Sequence, residues 1–407
     1  MEILNAAFLK KHKSLVQNTI FIFALNALQR IFGLAMVFVL VRTLDQSQFG
    51  DYQFILSLVG ILTIFSLPGL TNAVMQSSAR GLMGTYRASL KPSLLFSLLG
   101  SLILFVIGTW YLFFKENDLY LAFYISSIFF PLAHSLKNWK AVIMGEEKFS
   151  SILVIEGLFT FITTCLIIGI SLVKPGVIIW PLLIVLLVPS IKNLIFTGYL
   201  LKKINCDAPI EEGSLSYGMK TTVYSSLNII ANHLDKLLIY FFISPTSLAI
   251  YFVAERMSEL TKSIGQNLAA VLAPRFAKME NYTDRVDKVL NIFSIGLGVA
   301  IIIFALTILP WIMGILFGEK YIEAIPFAQV LLCSVAISNF ASLKNRFINS
   351  KLDGKSNRDI TIWGSLIRIA ASAILVPFYG IWGAVIATFI YRIFLAIIVS
   401  HIIRARY

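Results

Sequence analysis

The sequence predicts an all-α polytopic membrane protein, with 12 transmembrane helices in two six-helix lobes. Three observations predict it. Hydrophobic residues make up 58% of the 407 positions and charged residues only 14%, where an average soluble chain carries about 25% charge. A globule this apolar could not cover its own surface, so the solvent must be lipid. Apolar stretches of about 20 residues, enough to cross the hydrocarbon as helix, recur from end to end. Basic residues, finally, gather between these stretches on alternate sides.

Taken in order, the stretches fall at 16–41, 52–76, 91–114, 119–143, 150–173 and 177–200, then at 216–243, 247–273, 287–316, 323–348, 358–378 and 380–403. Each must be helical, because lipid offers an open backbone no other partner. The first follows Lys10, Lys11 and Lys13, is longer than a signal-peptide core and has no small-residue cleavage site after it, so it reads as a retained span. The loops joining them are short. The longest, at about 201–215, is polar (Lys202, Lys203, Glu211, Glu212, Gly213) and follows the sixth span, which divides the chain into lobes at 1–205 and 206–407. Asn26, Gln29 and Arg30 leading to Phe49-Gly50-Asp51-Tyr52 echo Asn228, Ala231 and Asn232 leading to Leu248-Ala249-Ile250-Tyr251. With the six-plus-six count, that echo favours a parallel repeat and a two-lobed transporter.

Charge gives direction. Lys and Arg number 34 against 21 Asp and Glu, a formal +13. In a soluble chain this would raise the question of nucleic acid; here, with no nucleic-acid partner expected, it marks cytoplasmic loops. One side collects nineteen basic residues, among them Arg80, Arg87, Lys140, Lys148, Arg275, Lys278, Lys351, Arg358, Arg404 and Arg406, while the other has Arg42, Lys115, Lys174 and Lys320. Both termini are therefore expected in the cytoplasm. Cys165, Cys206 and Cys333 lie far apart, with neither a metal-ligand nor a disulfide pattern. No phosphate-binding lysine loop, GxSxG, HExxH or CxxC occurs, so neither an enzyme nor a cofactor or metal is expected.

The polar residues inside the spans carry the functional expectation. Arg30, Arg256, Arg368 and Arg392 fall near the middle of spans 1, 8, 11 and 12. On lipid each would cost about 2.5–3.5 kcal/mol on insertion scales, so they must meet a partner or a wet cavity. Thr221, Ser225, Asn228, Asn232 and Asp235 recur every three or four residues along span 7, as do Glu255, Glu259, Lys262 and Gln266 on span 8, Ser338, Ser342, Asn345 and Asn349 on span 10, and Asn18, Asn26, Gln29, Arg30 and Gly33 on span 1. One wet stripe per helix describes helices around a shared hydrophilic interior. Seven basic residues (Arg30, Lys192, Lys236, Arg256, Lys262, Arg368, Arg392) against four acidic ones (Glu156, Asp235, Glu255, Glu259) leave that interior cationic. Such an interior suits an anion, with arginine's planar fork matched to phosphate or carboxylate.

Structural readings stand beside these. Arg256 and Glu259 are spaced to neutralise each other, Asp235 and Lys236 to form a local bridge, and Lys137 and Lys192 to snorkel to the interface. His134 reads as a packed histidine, and Asn and Ser stripes also join membrane helices without a ligand. Arg30, Arg368 and Arg392 have no acidic residue within a turn on their own helix, and the expectation of an anion site rests on those three.

Arg42-Thr-Leu-Asp-Gln-Ser-Gln-Phe49-Gly50-Asp51-Tyr52 resembles the N-terminal signature of Wzx-type polysaccharide flippases of the multidrug/oligosaccharidyl-lipid/polysaccharide (MOP) superfamily. Pro68-Gly69-Leu70-x-x-Ala73, Asp235-Lys236-Leu237-Leu238, Leu316-Phe317-Gly318-x-x-Tyr321 and Pro377-x-x-Gly380-x-x-Gly383-Ala384 extend the similarity over the whole length. The resemblance implies a MATE-like V of two lobes around a central cavity that opens alternately to cytoplasm and periplasm in the bacterial inner membrane. It implies flipping of an undecaprenyl-pyrophosphate-linked oligosaccharide, the repeat unit of an O-antigen or capsule. Substrate-binding residues would then be Arg30, Arg256, Arg368, Arg392, Lys236, Asn26 and Asn232. Asp235, Glu255 and Glu259 would couple transport to H+ or Na+. Membrane lipid, a polymerase and chain-length proteins are the further implied partners. The rival readings are an ion-coupled multidrug exporter of the same superfamily, for which an acidic cavity would be expected, a lipid II flippase, whose members usually have more spans, and a non-transport membrane subunit of a polysaccharide assembly complex.

Overall fold

A chain that meets lipid along most of its length must satisfy its backbone within each segment, and the protein does so with helices. The computed structural model describes residues 2–115, 119–279, 282–351 and 353–406; the side chains of 2–20, 22–23, 264, 267–275 and 277–278 lie outside the described set. The expectations for Lys10, Lys11, Lys13, Asn18, Arg275 and Lys278 fall on those side chains. No strand occurs among the described residues.

The helices are α1 (Glu2–Thr43), α2 (Gln46–Leu62), α3 (Gly69–Ala79), α4 (Gly84–Phe114), α5 (Leu119–His134), α6 (Trp139–Gly145), α7 (Phe149–Val173), α8 (Ile179–Lys203), α9 (Ser214–Phe242), α10 (Pro245–Lys278), α11 (Asp284–Thr307), α12 (Leu309–Phe317), α13 (Ala324–Ser350) and α14 (Gly354–Arg406). Nine stretches among the described residues are long and apolar enough to cross a membrane. α9 and α10 are not among them, and they are the two helices that carry Asp235, Lys236, Glu255, Arg256, Glu259 and Lys262. α14, at 53 residues, is about 80 Å of helix at 1.5 Å per residue, enough for two crossings. It is broken at Gly380 (φ 60°, ψ −133°), three residues after Pro377.

Several expected continuous spans are interrupted, each by an identifiable residue. The second breaks between α2 and α3, where Leu67 turns left-handed (φ 54°) ahead of Pro68. A proline disfavours helical geometry in the residue before it. The fourth divides into α5, with Pro131 in its last turn, a 3-10 turn over Leu136–Asn138, and α6. The ninth divides at Ile308, where Pro310 opens α12. Gly318 (φ 76°) then stops α12, with the Phe317 and Tyr321 rings buried on either side of it. Three of the sequence motifs, around Pro68, Gly318 and Gly380, therefore set helix ends. At Gly383 an added methyl would collide with the carbonyl of Leu375 across the break.

Two compact units form. In one (Met1–Leu44 and Leu62–Ser225), α1 packs on α7, α7 on α8, α8 on α5, α5 on α4 and α3 on α6. The polar loop after α8 is fastened inside this unit. Glu211 accepts hydrogen bonds from Ser77 (2.6 Å) and Arg80 through its carboxylate and donates its backbone N–H to Thr85 (3.0 Å).

In the other unit (Asp45–Ile61 and Ser226–Tyr407), α13 is flanked by α10, α11 and α14. α2 joins this second unit, with Phe54 stacked on Tyr240 at 3.8 Å between centroids and Asp51 accepting from the Tyr240 hydroxyl at 2.7 Å. The units are thus not the two halves of a chain cut once at 205/206: α2 groups with the second unit, whereas α3, the rest of the expected second span, groups with the first.

Candidate functional site

Within the second unit the wet stripes of α9 and α10 face α14 across a cavity of about 340 Å3, lined by Asn232, His233, Lys236, Phe252, Glu255, Arg256, Glu259, Lys262 and Arg368. The stripes exist because Asn232 and Asp235 stand three apart on α9, and Glu255, Glu259 and Lys262 four and three apart on α10. Pro245 and the Ser244 side chain, which accepts from the Ser247 N–H at 3.1 Å, fix the start of α10 and hence the direction of its stripe.

Asp235 is the hub. Its side chain is 1% exposed. One carboxylate oxygen accepts from Arg368 (3.1 Å) and from the Tyr251 hydroxyl (2.7 Å), and the other accepts the backbone N–H of Lys236 (2.9 Å). Arg368 also donates to the Asn232 side-chain oxygen at 2.7 Å, stands 3.8 Å from Glu255 and lies over the Tyr391 ring at 5.6 Å. The ammonium of Lys236 turns to Glu255 at 2.8 Å and to the carbonyl of Asn232 at 3.2 Å. Next along α10, Glu259 pairs with Lys262 at 3.3 Å and meets Arg392 at 3.9 Å. Arg392 further donates to Ser258, to Ser334 at 2.7 Å and to the Leu331 carbonyl at 3.0 Å.

Arg368 and Arg392, with no acidic residue within a turn on their own helix, meet carboxylates of neighbouring helices more than 110 positions away, beyond the reach of any within-helix rule. This geometry corrects two expectations. Asp235 and Lys236 do not bridge to each other side chain to side chain. Adjacent residues point to different parts of a helix surface, so each finds its own partner. Lys192 does not snorkel: only 12% of its side chain is exposed, and it pairs with Glu156 of α7 at 3.0 Å, with Lys140 of α6 3.8 Å from the same carboxylate. His134 is packed, its ring 5.1 Å from that of Phe130.

Of the expected site residues, the structure brings together Arg256, Arg368, Arg392, Lys236, Asn232, Asp235, Glu255 and Glu259. Arg30 and Asn26 lie partly exposed on α1 in the first unit. Sequence reasoning missed Tyr251, Tyr391, His233, Ser258 and Ser334. The hydroxyls carry no signal of their own on an apolar helix. Only His233, beside Asn232 on α9, could have been picked out from its neighbours.

Chemically, the cluster holds five basic side chains (Lys236, Arg256, Lys262, Arg368, Arg392) and three acidic ones (Asp235, Glu255, Glu259), a surplus of two positive charges. Buried charges are tolerated when paired and hydrogen-bonded. Most of this network meets that condition while leaving an open cavity with guanidinium and ammonium groups at its wall.

Residues 39–326 match the model of the family described as polysaccharide biosynthesis protein. The chain belongs to that family. Its fold is that of the MOP superfamily. A multidrug resistance MATE family transporter of that superfamily, in its inward-facing conformation, matches with a TM-score of 0.69 at 12% identity, over 93% of this chain and 94% of the other. Its outward-facing conformation gives 0.64 at 14% identity, over 97% and 95%. A MOP superfamily transporter from Pyrococcus furiosus Vc1, described as having a binding pocket of reversed polarity that suggests a different function, gives 0.66 at 15% identity, over 97% and 95%. At these identities the likeness is one of fold. No curated protein sequence matches the chain.

Proposed function

We propose that this polysaccharide biosynthesis family member flips an undecaprenyl-pyrophosphate-linked oligosaccharide across the bacterial inner membrane by alternating access, with the cluster around Arg368 receiving the pyrophosphate. The observation that carries the reading is the surplus of two positive charges at a cavity walled by Lys236, Arg256, Lys262 and Arg368. A cationic drug would be repelled there, whereas a pyrophosphate finds planar and point donors together. Arg30 and Asn26, on α1 of the first unit, would be further substrate-binding residues.

Coupling follows from competition. Glu255 holds both Lys236 and Arg368, so a cargo anion must compete with the Glu255 carboxylate for the same two cations. Neutralising Glu255 by a proton releases them. Proton and cargo binding at one cluster are then linked by a shared free energy and affect each other equally. Asp235, held by Arg368 and Tyr251, positions the guanidinium, and Glu259 does the same for Lys262 and Arg392.

The test uses the full-length protein in lipid nanodiscs with two probes, inorganic pyrophosphate and ethidium. Pyrophosphate is expected to bind, more weakly as salt rises because charge attraction is screened, and ethidium is expected not to. Binding of ethidium with none of pyrophosphate would move the protein to the multidrug exporters.

A further inference from the structure

A second cavity, of about 290 Å3, lies wholly inside the first unit, where α1, α7 and α8 meet. Each helix contributes one stripe: Gln29, Gly33 and Met36 from α1, Glu156, Thr160 and Thr164 from α7, and Val185, Pro189 and Lys192 from α8. Its volume is at the lower edge of small-molecule pockets, suited to one ring rather than a drug-sized ligand.

The lining carries hydrogen-bonding capacity that the protein does not use. Thr164 is 5% exposed and lines the cavity, yet its hydroxyl makes no hydrogen bond among the described residues, in contrast to Thr163, which donates to the Phe159 carbonyl at 2.7 Å. The side chains of Gln29 and Thr160 are likewise without a hydrogen bond among the described residues. Pro189 has no N–H, so the carbonyl of Val185 one turn earlier lacks its helical donor, and both residues border the cavity. Thr164 is buried, and Gln29 and Thr160 are half-buried. Here a hydroxyl, an amide and a carbonyl share one small space.

The charges select the ligand. The one carboxylate, Glu156, is already occupied by the ammonium of Lys192 at 3.0 Å, with Lys140 at 3.8 Å, so an added metal cation would have to displace a tethered one. A neutral ligand with several hydroxyls and apolar C–H faces fits the mixture of donors, acceptors, Phe159 and Met36. We infer that this cavity of the first unit is a sugar subsite, which holds one pyranose ring of the transported glycan through Gln29, Thr160, Thr164 and the Glu156–Lys192 pair. The inference rests on the glycan reading above and adds the part of the cargo that the first unit reads.

The experiment is a thermal shift of the full-length protein in detergent with methyl glycosides of a hexose, an N-acetylhexosamine, a 6-deoxyhexose and a uronic acid. Each is used up to about 50 mM, above the millimolar range of a lone weak ligand, with NaCl and KCl as controls. At least one glycoside is expected to raise Tm. Thr164→Val, which removes an unused hydroxyl and so leaves the unliganded Tm in place, is expected to abolish that rise, and Gln29→Leu to do the same. No rise with any of the four, or a rise that survives Thr164→Val, overturns the subsite. A Thr164-dependent rise with NaCl alone would make it a cation site and also overturns it. Since pyrophosphate binding is read separately, loss of the sugar shift with pyrophosphate binding retained would end this inference and leave the cargo reading standing.

Discussion

Asp235 and Arg368 stand 133 residues apart in the chain and 3.1 Å apart in the fold, with the carboxylate 1% exposed and a tyrosine hydroxyl, from Tyr251, completing its shell. A buried pair of this kind is costly to break from one side, because the remaining charge has neither water nor partner. Replacing one partner is expected to cost about 3–5 kcal/mol.

The first prediction separates that structural cost from transport. Asp235→Ala and Arg368→Ala, each alone, should lower Tm and the yield of folded protein. The double variant Asp235→Asn with Arg368→Gln should recover much of both, since it leaves no orphan charge. Recovery of folding without recovery of surface polymer would be the expected pattern. If the single variants fold as well as the parent, the pair is not holding α9 to α14.

Glu255 gives the second. It occupies Lys236 at 2.8 Å and approaches Arg368 at 3.8 Å. Glu255→Gln should free both cations and tighten inorganic pyrophosphate binding about tenfold, the equivalent of about 1.4 kcal/mol. Transport by the same variant should lose its dependence on a proton gradient. Titration calorimetry at two salt concentrations and a flux assay at two pH gradients check the two halves. Unaltered affinity would remove Glu255 from competition with the cargo.

Arg30 is the third. It lies partly exposed on α1, in the first unit. Arg30→Ala should reduce export of lipid-linked glycan with no loss of inserted protein, in contrast to Arg368→Ala. Quantitative blotting of membranes beside a surface-polymer assay makes the comparison, and normal surface polymer in the variant would take Arg30 out of the path.

Gly50 is the fourth, and it gives a family-like motif a physical meaning. A methyl at Gly50 would collide with the carbonyl of Pro245 at the start of α10. Its neighbours Phe49 and Tyr52 are buried, and Asp51 accepts from Tyr240. Gly50→Ala is expected to force α2 away from α10 and to cost about 1–3 kcal/mol, the usual range for overpacking. A Tm equal to that of the parent would show that the contact yields without cost.

The sequence by itself determined that the chain lives in lipid, that its apolar stretches are built of helix, and that Asn232, Asp235, Glu255, Glu259 and Lys262 lie on wet stripes. Hydropathy and helical period are local properties and can be read a turn at a time. The breaks at Leu67 and Ile308 were in principle legible too, because Pro68 and Pro310 announce them, but a window averaged over 20 residues smooths a proline away. Only the tertiary structure decided that Arg368 belongs to Asp235, Lys236 to Glu255 and Lys192 to Glu156, and that α2 joins the second unit. An ion pair depends on two side chains meeting across helices. Neither the spacing within one helix nor the surplus of charge over the whole chain contains the distance between them.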